Sequence, residues 1–226
     1  MRPRVAIIAA LPREISGLVS GWPRDQTSSA KNVRVYSSDG AIVVCAGMGT
    51  NRAMVAAGEA LSRGPVSQFI SAGFAGALHD GLKVGDVVRP SVAVDARTGE
   101  RFFAEGGKGT LVTGASVAGV SEKLRLRSSY GAEIVDMEAA AVARVAAQQG
   151  VPFAAIKAVS DEYDFEMQEL GEFATASGQF REFAFAMFLM THPRLWKRAA
   201  RLAGGSRVAL KALTAELRHE IARQNR

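Results

Sequence analysis

The stretch AEIVDMEAAAVARVAAQQGVPFAAIKAVSD, residues 132–161, contains two short apolar runs, and each of them ends on a carboxylate. The first run stops at Asp-Met-Glu, residues 136–138, and the second stops at Asp161. The alanine-rich segment between them, residues 137–149, has the spacing of a helix with one buried face. A buried strand, a helix and a second buried strand together predict an α/β fold.

The same alternation extends through the preceding part of the chain. Apolar strands are predicted at residues 4–10, 41–47 and 66–73, an amphipathic strand at 33–38, and further strands at 83–95 and 109–116. A helix is predicted over 51–64, where Gly64 closes it. Because no linker or repeat interrupts the pattern, we predict one domain over residues 1–190, a three-layer α/β sandwich around a mixed, largely parallel sheet. Residues 191–226 are predicted to form a basic, helical C-terminal extension.

The positive charge of the chain is concentrated in this last part. The 226 residues carry a net charge of +6, yet the segment from Leu189 to the end has nine Lys/Arg and two acids, a balance of +7. The remaining 19 basic and 20 acidic residues give a balance of −1. One helical face of the tail is apolar, with Leu210, Leu213, Leu217 and Ile221. Such a helix packs on the body or a partner subunit, or lies on an anionic membrane surface. Basicity alone does not indicate a nucleic-acid partner.

Composition also limits the chemistry and the location that we expect. No apolar run approaches the roughly 18 residues of a membrane span, and the run at residues 5–11 stops at Pro12, which argues against a signal peptide. We therefore expect a cytoplasmic protein, with the tail as a route to the inner membrane face. The single Cys45 and the three scattered histidines indicate no disulfide, no metal site and no cofactor.

Three carboxylates lie at the ends of predicted strands. Glu14 follows the first strand, Glu138 opens the alanine-rich helix, and Asp161 ends the last strand. Each of them alone is an ordinary residue for a helix terminus or a turn. Because ligands bind beyond the carboxyl ends of parallel strands, the three together predict a general acid, a general base and a hydrogen-bond acceptor in one site.

Two glycine-rich stretches follow neighbouring strands. The turn at residues 47–49 lacks the third glycine of a dinucleotide-binding loop, since that position is Arg52. We therefore interpret it as a tight turn that lets the backbone approach a ligand or a neighbouring strand. The stretch SAGFAGAL, residues 71–78, is interpreted as a second turn of this kind.

The order of these segments resembles the purine and uridine phosphorylase superfamily. The likeness runs over residues 4–164 through VAIIAALPREI, GMGTNRA, SAGFAGAL and VGDVV, and it is most specific in VDMEAAA and AVSD, at residues 135–141 and 158–161. Within that superfamily the chain looks most like the nucleosidases that act on methylthioadenosine and S-adenosylhomocysteine.

The resemblance implies roles for individual residues. Asp161 would donate a proton to the leaving purine, with Ser160 beside it, and Glu14 would activate the attacking water. Glu138 would hold the ribose hydroxyls, and Met137 would pack against the nucleoside. The remaining expected substrate contacts are Gly49, Gly73, Phe74 and Val117.

The resemblance also bears on the reaction type. The phosphorylases of the superfamily have an arginine where this chain has Glu14, and an arginine and a serine in the stretch that matches Ser71 and Phe74. The absence of these phosphate contacts favours hydrolysis. Arg13 and Arg52 lie nearby, so phosphorolysis remains the alternative. A second alternative is a nucleoside-binding or membrane-associated module without turnover, against which the presence of all three carboxylates argues.

The chain departs from the nucleosidases at the wall of the expected site. Residues 116–118 are small or aliphatic where the relatives have an aromatic residue that stacks on the base, and the segment between Asp95 and Gly114 is too short for a helix found in them. Phe102 and Phe103 either line the pocket instead or simply belong to the core. The substrate is therefore open among methylthioadenosine and S-adenosylhomocysteine, which are substrates of methionine salvage, and an adenosyl-lipid of hopanoid synthesis. Nucleosidases of that lipid pathway have similar basic C-terminal ends. Relatives form dimers or hexamers, so at least a homodimer is expected.

Overall fold

A computed structural model of the chain describes residues 2–25, 32–173, 175 and 179–224. Its strands are β1 (Arg4–Ala9), β2 (Arg24–Asp25), β3 (Arg34–Ser37), β4 (Ala41–Cys45), β5 (Val66–Ala77), β6 (Val87–Val88), β7 (Val92–Asp95), β8 (Arg101–Phe103), β9 (Thr110–Thr113), β10 (Ile134–Asp136) and β11 (Phe153–Asp161). Its α-helices are α1 (Pro12–Ile15), α2 (Thr50–Leu61), α3 (Val120–Tyr130), α4 (Ala139–Gln149), α5 (Glu182–Thr191) and α6 (Trp196–Gln224). Short 3-10 segments lie at Gln168–Phe173 and Pro193–Leu195.

The strands form one mixed sheet in which β5 is the central element. The order along the sheet is β2-β3-β4-β1-β5-β10-β9-β7-β8, and β11 pairs with β5 and with β6. β5 is parallel to β1 from Val66 to Ser71 and to β11 from Phe69 to Gly76, and its last two residues pair antiparallel with β10. Parallel pairs also join β1 to β4 and β9 to both β7 and β10. The predicted mixed, largely parallel sheet is confirmed.

Helices cover both faces of this sheet and complete three layers. On one face α2 and α4 bury alanines, among them Ala56, Ala57, Ala143 and Ala146, against the sheet. Small side chains allow the helices to approach the sheet closely, and their burial removes apolar area from water. On the other face, residues of α1 and α6 share a core with β1 and β11. The predicted three-layer sandwich is confirmed.

Three local predictions from the sequence are wrong or incomplete. Residues 71–78 do not form a turn, because β5 continues through them to Ala77. The strand predicted over 83–95 is two strands, β6 and β7, separated at Pro90, which cannot donate a ladder hydrogen bond. α3 was not predicted, because a helix with so few buried residues leaves almost no apolar periodicity in the sequence.

The basic tail forms α6 and packs on the sheet. Leu213 and Leu217 are fully buried in the core that α6 shares with β1 and β11. At Gly205 the helix passes so close to β11 that an added Cβ would lie 2.5 Å from the carbonyl oxygen of Ser160. The apolar stripe is therefore occupied by the body of the protein. Among the described residues, no helix is long and apolar enough to cross a bilayer. The division into units at residue 190 stays a prediction.

Candidate active site

An open cavity of about 500 Å³ lies beyond the carboxyl ends of β1, β10 and β11, beside residues 74–76 near the end of β5. Seven of the residues predicted for the site line it, namely Glu14, Phe74, Val117, Met137, Glu138, Ser160 and Asp161. The other two, Gly49 and Gly73, contact carboxylates of this set. The roles of these residues remain predictions, but their common position agrees with the expectation for strand ends in an α/β sheet.

Glu14 is held in α1, one turn after β1 ends. Its Oε2 accepts hydrogen bonds from the backbone N–H groups of Ala10, at 3.1 Å, and Leu11, at 2.9 Å. Gly73, in β5, leaves it room, since an added Cβ would lie 3.3 Å from Oε2. Burial raises the pKa of Glu14 above its ordinary value, and the Leu11 hydrogen bond and the charge of Lys157 oppose that rise only in part. A carboxylate with a raised pKa is suited to accept a proton near neutral pH.

Glu138 lies at the start of α4 and faces the cavity. Its Oε1 accepts a hydrogen bond of 2.7 Å from the backbone N–H of Gly49, and its Oε2 accepts one of 3.3 Å from that of Met137. Gly49 has φ of +90°, a conformation that favours glycine, so the tight turn predicted at 47–49 presents its N–H to this carboxylate. Burial, and then the neighbouring charge of Asp136, raise the pKa of Glu138 to about 8.

Asp161 is the last residue of β11, and both of its carboxylate oxygens have a partner. The hydroxyl of Ser160 donates to Oδ1 at 2.8 Å, and the ammonium of Lys123 lies 2.5 Å from Oδ2. Lys123 comes from α3 and is 2% exposed. The role of this lysine is not predictable from the sequence, since α3 has almost no apolar periodicity and a lone lysine among polar residues gives no signal.

A second lysine–aspartate pair is buried behind the site. Lys157 of β11 lies 2.8 Å from Oδ2 of Asp136, the last residue of β10. The same aspartate accepts hydrogen bonds from the Thr113 hydroxyl, at 2.7 Å, and from the Ala139 N–H, at 2.9 Å. Burial would lower the pKa of Lys157, but the carboxylates of Asp136 and Glu138 outweigh it and raise that pKa. Asp136 therefore joins β9, β10 and β11 to the start of α4.

The wall of the cavity is mostly apolar and comes partly from the C-terminal segment. Phe180 and Phe185 line it with ring centroids 5.6 Å apart, and the guanidinium of Arg13 lies 5.6 Å from the Phe180 centroid. Phe102 packs in the core instead and Phe103 is 87% exposed, so the expectation that they line the pocket is wrong. Aromatic residues of the wall thus come from the C-terminal segment and not from the stretches that the sequence motifs indicate.

The charged groups that line the cavity are carboxylates and two cations, Arg13 and Lys123. Together with the apolar wall they suit an organic ligand that has both polar and apolar parts. Among the described residues, no cluster of three or more His, Cys, Asp or Glu side chains is arranged to hold a metal ion. Cys45 is buried in β4, and burial raises the pKa of its thiol well above the ordinary range. A buried thiol of this kind is unreactive, and Cys45 serves as a small core residue.

Fold and site together define an α/β protein with a carboxylate-lined cavity at the carboxyl ends of its strands. The sequence pattern of the phosphorylase superfamily matches residues 4–117 and 98–189, and the chain belongs to that superfamily. A search among curated protein sequences finds no match.

Solved structures share the fold over nearly the whole chain. The apo 5′-methylthioadenosine nucleosidase of Arabidopsis thaliana is 20% identical with a TM-score of 0.74, covering 99% of this chain and 97% of that one. The native futalosine hydrolase of Helicobacter pylori strain 26695 is 16% identical with a TM-score of 0.68, covering 96% and 98%. The 5′-methylthioadenosine/S-adenosylhomocysteine nucleosidase of Neisseria meningitidis, in complex with methylthio-immucillin-A, is 22% identical with a TM-score of 0.65, covering 95% and 99%. At these identities the likeness is one of fold.

Proposed function

We propose that the protein is a nucleosidase that hydrolyses the N-glycosidic bond of a purine nucleoside. The observation that carries this proposal is the meeting of Glu14, Glu138 and Asp161 around one cavity. Their chain positions are far apart, and a fold that had lost turnover would have no physical reason to bring three carboxylates together. Two of the three have raised pKa values, as acid–base residues often do.

Each carboxylate has a task in such a reaction. Cleavage builds positive charge on the sugar and negative charge on the departing base. A proton from Asp161 neutralises the base, and Glu14 accepts a proton from the water that attacks the sugar carbon. General acid and base assistance of this kind is worth about 10²–10⁴ each in rate. Glu138 is suited to bind the ribose hydroxyls beside Met137, with the remaining apolar lining packed on the nucleoside.

We propose adenine as the base and a 5′-substituted adenosine as the substrate. The similar folds include proteins named as nucleosidases of 5′-methylthioadenosine and S-adenosylhomocysteine, which supports this substrate class. The wall formed by Phe180, Phe185, Leu170 and Leu202 supports an apolar substituent. Methylthioadenosine and S-adenosylhomocysteine, substrates of methionine salvage, are therefore candidates, and so is an adenosyl-lipid such as a hopanoid precursor.

The negative charge of Glu14, where the attacking nucleophile would bind, favours hydrolysis over phosphorolysis. The Glu14 carboxylate would repel a phosphate and polarise a water molecule. Arg13, which also lines the cavity, lies against the ring of Phe180. Phosphorolysis by a phosphate bound at Arg13 is the alternative, and a nucleoside-binding module without turnover is the second.

The decisive experiment measures adenine release from a panel of 5′-substituted adenosines, with and without phosphate. We expect release without phosphate and a free sugar as the second product. A requirement for phosphate together with a ribose-phosphate product would reverse the reaction type. Binding of the nucleosides without any release of base would leave the non-catalytic alternative.

A membrane interaction is a second candidate property, and one observation favours it. The outward face of α5 exposes Phe183 (81%), Met187 (49%) and Met190 (69%), and Trp196 (57%) follows at the start of α6. The segment 183–215 contains six Lys/Arg and no acid. Apolar side chains beside cations suit an anionic lipid surface. This surface differs from the Leu213–Leu217 stripe, which is buried.

Vesicle sedimentation tests this candidate. We expect binding to vesicles that contain phosphatidylglycerol, little binding to phosphatidylcholine alone, and a blue shift of Trp196 fluorescence on binding. Phe183→Ser with Met190→Ser should abolish binding while nucleoside cleavage persists.

We also propose a homodimer or larger assembly, whose mass is measured by light scattering. If the double variant has a different assembly mass from the wild type, and neither the wild type nor the variant binds vesicles, the α5 face is a subunit interface.

A further inference from the structure

A buried lysine contacts the carboxylate to which we assign the acid role. The Lys123 ammonium lies 2.5 Å from Oδ2 of Asp161, donates to the carbonyl oxygen of Glu162 at 2.7 Å, and points to that of Phe165 at 3.5 Å. Its three N–H groups are therefore all directed at the end of β11 and the turn that follows it. A lysine this deeply buried costs free energy unless its charge is compensated, and the Asp161 carboxylate supplies that compensation.

The chain leaves room for this contact at Gly76 of β5. An added Cβ at Gly76 would lie 2.9 Å from Asp161 Oδ2 and 3.2 Å from Lys123 Cε. Both residues also line the cavity. The Asp161 side chain is 20% exposed, whereas that of Lys123 is 2% exposed. The pair is thus a contact built into the interior, with its carboxylate at the cavity surface.

The contact decides which oxygen of Asp161 can carry a proton. An ammonium only donates hydrogen bonds, so the Oδ2 atom that faces it must accept. A proton on the carboxyl group is therefore placed on Oδ1, the oxygen 2.8 Å from the Ser160 hydroxyl. That hydroxyl can donate or accept, so it fits the ionised and the protonated carboxyl alike.

We propose that Lys123 is a positioning residue for Asp161; this inference rests on the proposed nucleosidase activity. Lys123 orients the carboxyl with its proton on Oδ1 and stabilises the carboxylate that remains after the proton has gone. In this step the electrons of the sugar–base bond move to the base, the Oδ1–H bond breaks, and an N–H bond forms on the base. Lys123 keeps all its protons, and its charge favours the product side of the transfer.

A double-mutant cycle in the full-length protein tests this coupling. With the nucleoside that the wild type cleaves, Lys123→Met should lower kcat about 10- to 100-fold, the equivalent of one charge-assisted hydrogen bond, with little change in KM. Lys123→Met combined with Asp161→Asn should be no slower than Asp161→Asn alone. Arg127→Met, which removes an exposed cation from the same helix, is the matched control and should leave kcat unchanged.

The leaving group supplies a second readout. A 4-nitrophenyl riboside releases 4-nitrophenolate, a stabilised anion that leaves without a proton. Lys123→Met and Asp161→Asn should therefore each lose far less kcat on this riboside than on the purine nucleoside. If the wild type does not cleave this riboside, the double-mutant cycle alone tests the role of Lys123. Lys123→Arg, which keeps the charge, should restore part of kcat. If thermal melting shows Lys123→Met to be unfolded, Lys123→Gln, which also removes the charge, replaces it in the cycle.

The possible outcomes separate the two proposals. Losses that multiply in the double variant, or equal losses on both substrates, would mean that Lys123 only supports the fold. A wild type that cleaves purine nucleosides together with an equally active Lys123→Met would overturn the inference and leave the proposed function intact. A wild type that releases no base from any purine nucleoside would overturn the proposed function itself.

Discussion

Two lysine–aspartate pairs lie at the same edge of the sheet and have nearly the same chemistry. In each pair the aspartate ends a strand and also accepts a hydrogen bond from a hydroxyl, that of Thr113 for Asp136 and that of Ser160 for Asp161. The difference is exposure, since the Asp136 side chain is 0% exposed and that of Asp161 is 20% exposed. The buried pair can only hold the structure together, whereas the open pair can also meet a ligand.

This comparison explains why two strands of the chain end on carboxylates. Asp136 accepts hydrogen bonds from Thr113 and the Ala139 N–H and pairs with Lys157, so every contact that it makes is internal. Asp161 leaves part of its surface to the cavity. The same residue type in the same strand position thus serves packing in one case and, as we propose, chemistry in the other.

The largest expected effect separates the two aspartates by turnover. Asp161→Asn should lower kcat about 10²–10⁴-fold, because an amide cannot replace the acid, while the protein stays folded. Asp136→Asn is the matched control and should cost stability more than turnover per folded molecule, since it leaves Lys157 without its charge partner. Steady-state kinetics and thermal melting of both variants test this. Asp161→Asn with kcat within about threefold of wild type would exclude an acid role, given that magnitude.

The next effect separates the two lysines by stability. Lys157→Met strands a buried Asp136 charge and should lower the free energy of unfolding by about 3–5 kcal/mol. Lys123→Met should lower it by less, because Asp161 has contact with the cavity and can be solvated there. Denaturant unfolding of the two variants measures the difference. Equal losses of stability would break the distinction between a structural and a chemical pair.

A smaller effect concerns Glu138, which lies beside the buried pair. Its folded pKa of about 8 lies above the ordinary value of 4.5, so the stability that it contributes is complete below about pH 4.5 and is lost as the pH rises through 8. Glu138→Gln removes the cost of ionisation and should therefore raise Tm by roughly 5 °C at pH 9 and by less at pH 5. A gain in Tm that does not depend on pH would show that ionisation of Glu138 is not its cause.

The smallest effects are expected for the two hydroxyl groups. Ser160→Ala should lower kcat up to about tenfold, since one hydrogen bond is worth about 0.5–1.5 kcal/mol, and should leave Tm nearly unchanged. Thr113→Val should do the opposite and cost about 1 kcal/mol of stability, because its hydroxyl joins Asp136 to α4. If both substitutions affect the same property, the contrast between the two pairs does not extend to their hydroxyl partners.

The sequence by itself determined the fold class, the position of the three carboxylates at strand ends, and membership of the superfamily. These follow from local patterns: apolar runs of strand length, an alanine-rich helix between them, and short motifs of fixed order. The carboxyl ends of parallel strands meet at one edge of a sheet, which is why Glu14, Glu138 and Asp161 were predicted as a group, although β10 in fact pairs antiparallel with the end of β5.

Only the tertiary structure decided which groups surround these carboxylates. Lys123 reaches Asp161 across 38 residues of chain, from a helix that carries almost no apolar periodicity. Phe180 and Phe185 reach the cavity from the C-terminal segment, and the α6 stripe, which by pattern alone suited a membrane as well as a core, is buried against the sheet. Such contacts depend on how helices are placed over the sheet. That placement is set by packing between distant segments, so a local pattern of residues cannot reveal it.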